Sequence, residues 1–210
     1  MGDFAKEEKT PPGASPDRPE GPEGVRMLKR MNQEHQKLRS FGFLNLSFRP
    51  GMRILDVGSG GGMTIREMLD LSEGSRIDGL DVSETSVEEG RKTNADFQDR
   101  VCIVQGDVSD LPFEADRYDL VTAVETVYFW PQPVKAFQEI LRVLKPGGTF
   151  AIMDEGSDPS ILELWGPIKG IIYTPKELIS MLSEAGFENV QVFHGEEQII
   201  TALGRKPELL

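Results

Sequence analysis

Acidic residues follow apolar segments of strand length at four places in the chain. Asp56, Asp81 and Asp107 lie at the ends of three such segments. Glu125 lies just past a fourth. The carboxyl ends of parallel strands meet along one edge of a sheet, and ligands bind in the crevice there. The acids therefore predict a ring of carboxylates around one crevice, which would attract a ligand with positive charge.

A glycine-rich loop follows the first of these segments. Four of the five residues in 58–62 are glycine. Glycine tolerates positive φ and has no Cβ that would hold a ligand away from the backbone. A loop of this kind between a strand and a helix brings backbone N–H groups close to a ligand of nucleotide size.

Two classes of cofactor compete for this crevice. A dinucleotide site has a third glycine for close helix packing, and the matching position here holds Met63. Asp81 stands at about the spacing of a ribose-binding acid, which either class would use. Asp56 before the loop suits a cationic ligand, and S-adenosylmethionine has a sulfonium and an ammonium group and no phosphate. The residues favour S-adenosylmethionine and leave the dinucleotide as the alternative.

Apolar segments of strand length alternate with helical patterns from residue 53 onward. Strands are predicted at 53–57, 76–81, 101–105, 118–124 and 149–153, and near 190–193 and 198–203. The alternation predicts a Rossmann-like, doubly wound α/β fold with right-handed crossovers and a mostly parallel seven-stranded sheet. Only a short loop separates the last two strands, so we expect one antiparallel strand at the edge.

The N-terminal part of the chain has a different composition. Residues 1–24 contain five prolines among charged residues and glycines, with Phe4 as the only aromatic residue. Such a segment buries too little apolar surface to offset its ordering entropy, so we expect a disordered tail; a docked arm is the alternative. A helical pattern runs from residue 25 to about residue 41, with His35 on its apolar face. Residues 25–210 are expected to form one domain.

Composition limits the classes of partner. The formal net charge of -12 argues against nucleic acid and against an anionic lipid surface, and so favours a small-molecule substrate. The sequence shows no apolar segment of membrane-spanning length and no secretory pattern, so a cytoplasmic protein is expected. Cys102 is the single cysteine, expected to be buried in an apolar strand, and no metal-ligand spacing occurs, so no metal is expected.

Five motifs occur in the order and spacing of a known family. They are residues 56–62, 79–83, 106–113, 118–121 and 141–148. Together they resemble the motifs of class I S-adenosylmethionine-dependent methyltransferases, and the resemblance covers the chain from about residue 27 onward. Residues 31–35 and 125–131 further resemble a subgroup of small bacterial and archaeal methyltransferases whose substrates are largely undefined. In that subgroup, the N-terminal helix is expected to cover the cofactor pocket.

The resemblance implies contacts to the methionine portion of S-adenosylmethionine. Asp56, with the backbone of Gly58 and Gly60, would face this portion. Ser59 occupies a place where many relatives have cysteine, a change of little consequence because the backbone makes the contact. Glu125, or the carbonyl groups of its neighbours, would help to hold the amino-acid end.

The resemblance also implies contacts to the adenosine portion. Asp81 would accept hydrogen bonds from both ribose hydroxyls, and Val82 would pack on the adenine ring. Asp107 would accept a hydrogen bond from the adenine amino group, with the backbone of Val108 nearby. The product of methyl transfer would be S-adenosylhomocysteine.

Four further residues are candidates for contact with the methyl acceptor. His35 would be a substrate-positioning group or general base; a core histidine with satisfied hydrogen bonds is the alternative. Tyr128 and Trp130 follow the fourth strand, where substrate usually meets the methyl group, although aromatic residues also fill cores. Tyr173 belongs to a variable segment after the fifth strand that would act as a lid.

The expected reaction is in-line attack of an acceptor atom on the sulfonium methyl group. Alignment and exclusion of water could supply most of the catalysis, and a base such as His35 is needed only for a protonated nucleophile. A nicotinamide-dependent oxidoreductase is one alternative, which Met63 argues against. A protein that binds S-adenosylmethionine without turnover is the other.

Overall fold

The computed structural model describes residues 15–155 and 172–208 of the 210-residue chain. The strands are β1 (Arg53–Val57), β2 (Arg76–Asp81), β3 (Val101–Gln105), β4 (Tyr118–Val124), β5 (Leu144–Asp154), β6 (Glu188–His194) and β7 (Ile200–Arg205). The helices are α1 (Gly21–Glu34), α2 (Gln36–Leu44), α3 (Met63–Leu71), α4 (Glu84–Thr93), α5 (Pro133–Val143) and α6 (Pro175–Ala185). Short 3-10 helices occupy Ala95–Phe97, Val127–Phe129 and Glu196–Gln198.

The strands form one seven-stranded sheet in the order β3-β2-β1-β4-β5-β7-β6. Strands β1 to β5 pair in parallel, and β7 runs antiparallel to both of its neighbours, β5 and β6. The predicted Rossmann-like fold is confirmed. Because the chain passes from β1 outward to β3 and then returns to β4, the strand order reverses between β1 and β4, where such sheets bind ligands.

Helices cover both faces of the sheet. On one face, Phe150 packs between Phe137 of α5 and Phe187, with ring centroids 5.3 and 5.7 Å apart. On the other face, Ile54 of β1 belongs to a buried cluster with Met68 of α3. A central strand covered on both sides is largely apolar, and β1 is buried at every position after Arg53.

Cys102 is exposed, so the prediction that it is buried is wrong. It lies on β3, which is an edge strand of the sheet. Alternate side chains of a strand point to opposite faces, and the inward face of β3 is occupied by Ile103.

The helix predicted from residue 25 to about residue 41 is two helices that meet at His35. The backbone of His35 has φ -80° and ψ 10°, outside the helical range. Helical hydrogen bonding nevertheless continues across it: the N–H of His35 donates to Met31 O and the N–H of Arg39 donates to His35 O, each at 3.0 Å. The junction is therefore a local irregularity in otherwise continuous helical bonding, and α2 beyond it packs against β5 and β7.

Helix α1 begins at Gly21, inside the segment 1–24 that composition predicts as a tail. Helix α1 begins this early because of a packing contact, which composition does not reveal. A Cβ on Gly24 would lie 2.7 Å from the carbonyl carbon of Pro19, so these two residues are in close contact. Residues 1–14 lie outside the described residues, and disorder there stays a prediction.

Helix α6 begins with a capping box, as the sequence predicts. Thr174 Oγ1 accepts a hydrogen bond from the N–H of Glu177 at 3.3 Å, and Glu177 Oε2 accepts one from the N–H of Thr174 at 2.7 Å. The two bonds satisfy donors that a helix start leaves free.

Replacement of Thr174 tests the contribution of this cap. Thr174→Ala should lower the free energy of unfolding by about 1 kcal/mol, because the N–H of Glu177 loses its acceptor. Thr174→Ser keeps the oxygen and should stay close to the wild type. Urea unfolding measures both variants, and an equal loss in Ser and Ala would contradict the role of the hydroxyl oxygen.

Candidate functional site

The glycine loop joins the end of β1 to α3. Gly58 and Gly60 have φ of +69° and +49°, a conformation that L side chains rarely adopt. A Cβ on Gly58 would also lie 2.3 Å from Thr126 Oγ1. The N–H groups of Gly58 and Ser59 both donate to Leu80 O, at 2.8 and 3.0 Å. These contacts hold the loop against the end of β2.

Asp81 connects the glycine loop to the turn after β2. Its Oδ2 accepts a hydrogen bond from the N–H of Gly60 at 2.8 Å, and its Oδ1 accepts one from the N–H of Ser83 at 2.9 Å. Burial raises the pKa of Asp81 above its ordinary value, and the N–H groups of Ser83 and Gly60 oppose the rise. A carboxylate has about four lone-pair positions, so two bonds leave about two for a ligand.

A cavity of about 260 Å³ lies at the carboxyl ends of the strands, next to Asp81. The predicted site residues that line it are Gly58, Asp81, Val82, Asp107, Val108 and Trp130. These residues come from the loops after β1, β2, β3 and β4, so the sheet brings together four separate parts of the chain. Of the four acids predicted to surround one crevice, Asp81 and Asp107 line this cavity, whereas Asp56 and Glu125 do not.

The residues expected to contact the adenosine portion differ in how far their side chains are exposed. Val82 is 41% exposed, so an apolar side chain faces the cavity. Asp107 is exposed, and its Oδ1 accepts hydrogen bonds from the Oγ–H and the N–H of Ser109 at 2.6 and 2.8 Å. Both bonds lower the pKa of Asp107, so this carboxylate stays ionised at neutral pH. Its Oδ2 lacks a protein partner among the described residues and can accept a ligand donor.

Seven residues that line the cavity were not predicted as site residues: the polar Asp17, Arg18 and Thr126, and also Leu80, Gly106, Phe129 and Pro131. Thr126 lies next to Glu125, within the motif of residues 125–131. Asp17 and Arg18 lie in the segment predicted as a tail, where nothing local signals a contact with β2 and β3.

Asp56 is buried away from the cavity. It is 1% exposed, and Thr122 Oγ1 donates a hydrogen bond to Asp56 Oδ1 at 2.6 Å. Burial raises the pKa of Asp56 to about 7, while the Thr122 bond and the charge of Arg39 lower it. Contact between Asp56 and a methionine portion stays a prediction.

Arg39 is a buried cation that the sequence analysis missed. Its side chain is 3% exposed, and it donates two hydrogen bonds to Glu67 of α3, at 2.8 and 2.9 Å. It also donates to Asn32 O at 2.8 Å. Arg39 lies four residues after His35, so the helical spacing from that residue was an available signal.

These bonds place Asn32 of α1 over the glycine loop. A Cβ on Gly61 would lie 2.6 Å from Asn32 Nδ2. Leu28, one turn earlier in α1, lies near Gly60, where the corresponding distance to its Cδ2 is 3.6 Å. Helix α1 therefore covers the loop, in agreement with the predicted N-terminal cover.

Glu125 lies in a buried acidic pair with Asp154, which the sequence analysis missed. Glu125 is 4% exposed; its Oε2 accepts a hydrogen bond from the Tyr128 hydroxyl at 2.7 Å, and its Oε1 accepts one from the N–H of Glu155 at 2.5 Å. Burial, then the nearby Asp154 carboxyl, raises the pKa of Glu125 well above its ordinary value. Burial likewise raises the pKa of Asp154 to about 7.

The predicted acceptor residues occupy different places. Trp130 lines the cavity, and its Nε1–H donates to Thr126 Oγ1 at 3.3 Å. Tyr173 packs against the core on the α5 side of the sheet. Tyr128 is buried, and its hydroxyl donates to Glu125. His35 is partly buried at the junction of α1 and α2, and burial, followed by the charge of Arg39, lowers its pKa to about 4. His35 is therefore neutral at pH 7 and a weak base; its role stays a prediction.

A larger cavity, of about 560 Å³, lies at the opposite ends of the strands. Its walls include Met52, Asp119 and Thr149, near the amino ends of β1, β4 and the parallel part of β5, together with Arg49 and Arg205. None of the predicted site residues lines it. Doubly wound sheets bind ligands at the carboxyl ends, so the smaller cavity is the candidate site.

Within residues 15–155 and 172–208, His, Cys, Asp and Glu side chains form no group of three or more that could hold a metal ion. None of the helices in this part of the chain combines the length and the apolar character needed to cross a membrane.

Comparison with known proteins gives a family match and several relatives. Residues 55–152 match a family model described as a methyltransferase domain. Cycloartenol-C-24-methyltransferase 1 of Oryza sativa subsp. japonica is 37% identical over 113 residues, which cover 53% of this chain and 33% of the rice protein. The uncharacterized methyltransferase YdaC of Bacillus subtilis is 28% identical over 77% of this chain and 86% of its own length. The match spans about a third of the first curated relatives, which are sterol and cycloartenol methyltransferases.

Solved structures confirm the fold. A chain from the complex between the Haloferax volcanii Trm112 methyltransferase activator and a methyltransferase superposes with a TM-score of 0.78 and 22% identity, covering 87% of this chain and 94% of that one. An Aquifex aeolicus S-adenosylmethionine-dependent methyltransferase superposes with a TM-score of 0.75 and 20% identity, covering 86% of this chain and 97% of that one. None of these comparisons supports the oxidoreductase alternative.

A double-mutant cycle tests the contact between the cover and the glycine loop. Gly61→Ala should lower the free energy of unfolding by about 1–3 kcal/mol, because its Cβ overlaps the Asn32 side chain. Asn32→Ala in the same chain removes the obstacle and should recover most of that loss, whereas Asn32→Ala alone should have a small effect. Urea unfolding of the four proteins measures the coupling, and additive effects would contradict the contact.

Proposed function

We propose that this chain, which belongs to the class I S-adenosylmethionine-dependent methyltransferases, transfers the sulfonium methyl group of S-adenosylmethionine to a small-molecule acceptor. The observation that carries the proposal is the position of Asp81. Its carboxylate is bound to the glycine loop by one oxygen and to the turn after β2 by the other, and it lines the candidate cavity with lone pairs to spare.

The residues around this cavity fit the adenosine end of the cofactor. Asp81 would accept hydrogen bonds from the ribose hydroxyls, and the exposed Val82 side chain would pack on the adenine ring. Asp107 would accept a hydrogen bond from the adenine amino group, beside Val108. Small-molecule sites measure about 300–1,000 Å³, so a cavity of about 260 Å³ matches part of the cofactor rather than the whole.

The charge of the neighbouring residues fits a cationic methionine end. Asp56, Glu125 and Asp154 are buried carboxyl groups at the ends of β1, β4 and β5, and burial raises the pKa of each. A positive ligand group nearby would favour their ionised forms. We propose that the methionine portion lies toward these residues, with the backbone of Gly58 and Gly60 and with Ser59 beside it.

The chain contributes to catalysis by binding, orientation and exclusion of water. When bound, S-adenosylmethionine supplies an activated methyl group that needs alignment with the acceptor atom. Asn32 covers the glycine loop, and Trp130 closes part of the cavity wall, so both keep water away. Tyr128, Tyr173 and His35 remain the proposed acceptor residues, and His35, which is neutral at pH 7, would accept a proton if the acceptor carries one.

The proposed acceptor is a small molecule. The net charge of -12 supports this, because a polyanion such as nucleic acid would be repelled. Relatives carry names of enzymes that act on sterols and on demethylmenaquinone, which are small molecules. We propose a cytoplasmic location, for which the support is the low cysteine content of the chain, one cysteine in 210 residues.

Calorimetry with S-adenosylmethionine tests the cofactor assignment. The wild-type chain should bind it, and Asp81→Asn should weaken binding roughly 10- to 100-fold, because one charged acceptor of hydrogen bonds is lost. Asp96→Asn, at a carboxylate whose side chain is 85% exposed, is the matched control and should bind as the wild type does. Absence of binding, or unchanged binding by Asp81→Asn, would refute the assignment. Formation of S-adenosylhomocysteine in a screen of small-molecule acceptors then separates methyl transfer from binding without turnover.

The pKa of Asp56 predicts a pH dependence of binding. Because the pKa of Asp56 is raised to about 7, most of this carboxyl is protonated at pH 6, and a cationic ligand should drive its ionisation. Affinity for S-adenosylmethionine should therefore rise as pH increases from about 5 to about 7, with proton release at pH 6. Calorimetry in two buffers of different ionisation enthalpy measures the released proton.

Two variants test which residue loses the proton when the cofactor binds. Asp56→Asn should remove most of it. Asp154→Asn is the comparison, because burial raises the pKa of Asp154 to about 7 as well, and most of the release should persist in this variant. Release that persists in Asp56→Asn and disappears in Asp154→Asn would contradict the role of Asp56.

A further inference from the structure

The segment before α1 is fixed to the start of α4. Ser83 Oγ–H donates a hydrogen bond to Pro19 O, and the N–H of Gly21 donates to Thr85 Oγ1 at 3.1 Å. Pro19 is buried between α4 and Gly24 of α1. We call residues 15–20 the N-terminal strap.

The strap contributes side chains to the cavity. Asp17 and Arg18 line it together with Val82 and Asp107, which come from the loops after β2 and β3. Arg18 lies 3.4 Å from Glu20 in an ion pair whose two side chains are 55% and 65% exposed. An exposed pair of this kind is weak, so the Arg18 guanidinium is available to a ligand.

Ser83 links the strap to the carboxylate that carries the proposed function. Its N–H donates to Asp81 Oδ1 at 2.9 Å, and its Oγ accepts a hydrogen bond from the N–H of Ser86 at 3.1 Å. The same Oγ donates to Pro19 O. One residue therefore joins the strap, the start of α4 and Asp81.

We propose that the N-terminal strap is part of the cofactor site and controls release of the cofactor. The Arg18 guanidinium contacts the adenosine end, where its plane can stack on the adenine ring opposite Val82. Entry and exit then require the Pro19 and Gly21 hydrogen bonds to break, so strap opening limits the dissociation rate. This inference rests on the proposed function, because it takes S-adenosylmethionine and S-adenosylhomocysteine as the ligands.

Two variants loosen the strap at residues outside the cavity wall. Gly24→Ala places a Cβ against Pro19, while alanine is the better helix former, so α1 itself is not weakened. Thr85→Val removes the acceptor of the Gly21 N–H and keeps the side-chain shape. Lys29→Ala, at an exposed position of α1, is the matched control.

Stopped-flow tryptophan fluorescence follows the release of S-adenosylhomocysteine, because Trp130 lines the cavity. Gly24→Ala and Thr85→Val should raise the dissociation rate about fivefold or more, since opening becomes easier. Lys29→Ala should release at the wild-type rate. Hydrogen exchange at the Gly21 amide should slow when S-adenosylhomocysteine binds, and less so in the two variants.

Arg18→Ala tests the contact with the adenosine end. The dissociation constant should rise about 5- to 20-fold, an amount typical of one lost cation–π or stacking contact. The factor should be the same for S-adenosylhomocysteine and for 5′-methylthioadenosine, which keeps the adenosine end and lacks the amino-acid end. An unchanged constant for 5′-methylthioadenosine would overturn this contact.

The outcomes distinguish a failure of the strap proposal from a failure of the proposed function. A wild-type chain that fails to bind S-adenosylhomocysteine would overturn the proposed function and the strap with it. Normal binding with wild-type release rates in both Gly24→Ala and Thr85→Val would overturn strap control alone.

Discussion

The carboxylate of Asp81 connects the parts of the site that come from different regions of the chain. It accepts hydrogen bonds from Gly60 in the loop after β1 and from Ser83 in the turn after β2. Ser83 in turn holds Pro19 and the start of α4. Such bonds to a charged acceptor are strong in a buried setting, and loss of one partner leaves the other unsatisfied. The cavity, the glycine loop and the N-terminal strap all depend on this one side chain.

Buried carboxyl groups give the site its charge preference. Asp56, Glu125 and Asp154 lie at the ends of three strands, and burial raises the pKa of each of them. Asp154 Oδ1 lacks a hydrogen-bond partner among the residues that the structure describes. Removal of an ionised carboxylate from water is costly, so a cationic ligand stabilises these groups and is in turn attracted by them. The pH dependence of binding therefore follows from the burial of these carboxyl groups at the ends of the strands.

The cover over the glycine loop depends on an ion pair between the buried Arg39 and the partly exposed Glu67, and not on apolar packing alone. Arg39 binds Glu67 and the carbonyl of Asn32, and so fixes α2 and α1 relative to α3. Removal of one partner from a buried pair leaves an uncompensated charge, which makes the pair a specific constraint on where the cover lies.

The sequence by itself determined the elements whose signals are local. Apolar runs, the glycine loop and acids such as Asp81 at strand ends predicted the parallel sheet and much of its crevice, because periodicity and turn chemistry operate over a few neighbouring residues. The tertiary structure alone decided which distant residues complete the site. Arg18 joins the cavity through Pro19 and Ser83, 64 positions apart in the chain, and Asp154 joins Glu125 through strand pairing. Contacts of this range follow from packing, which leaves no pattern in either local segment.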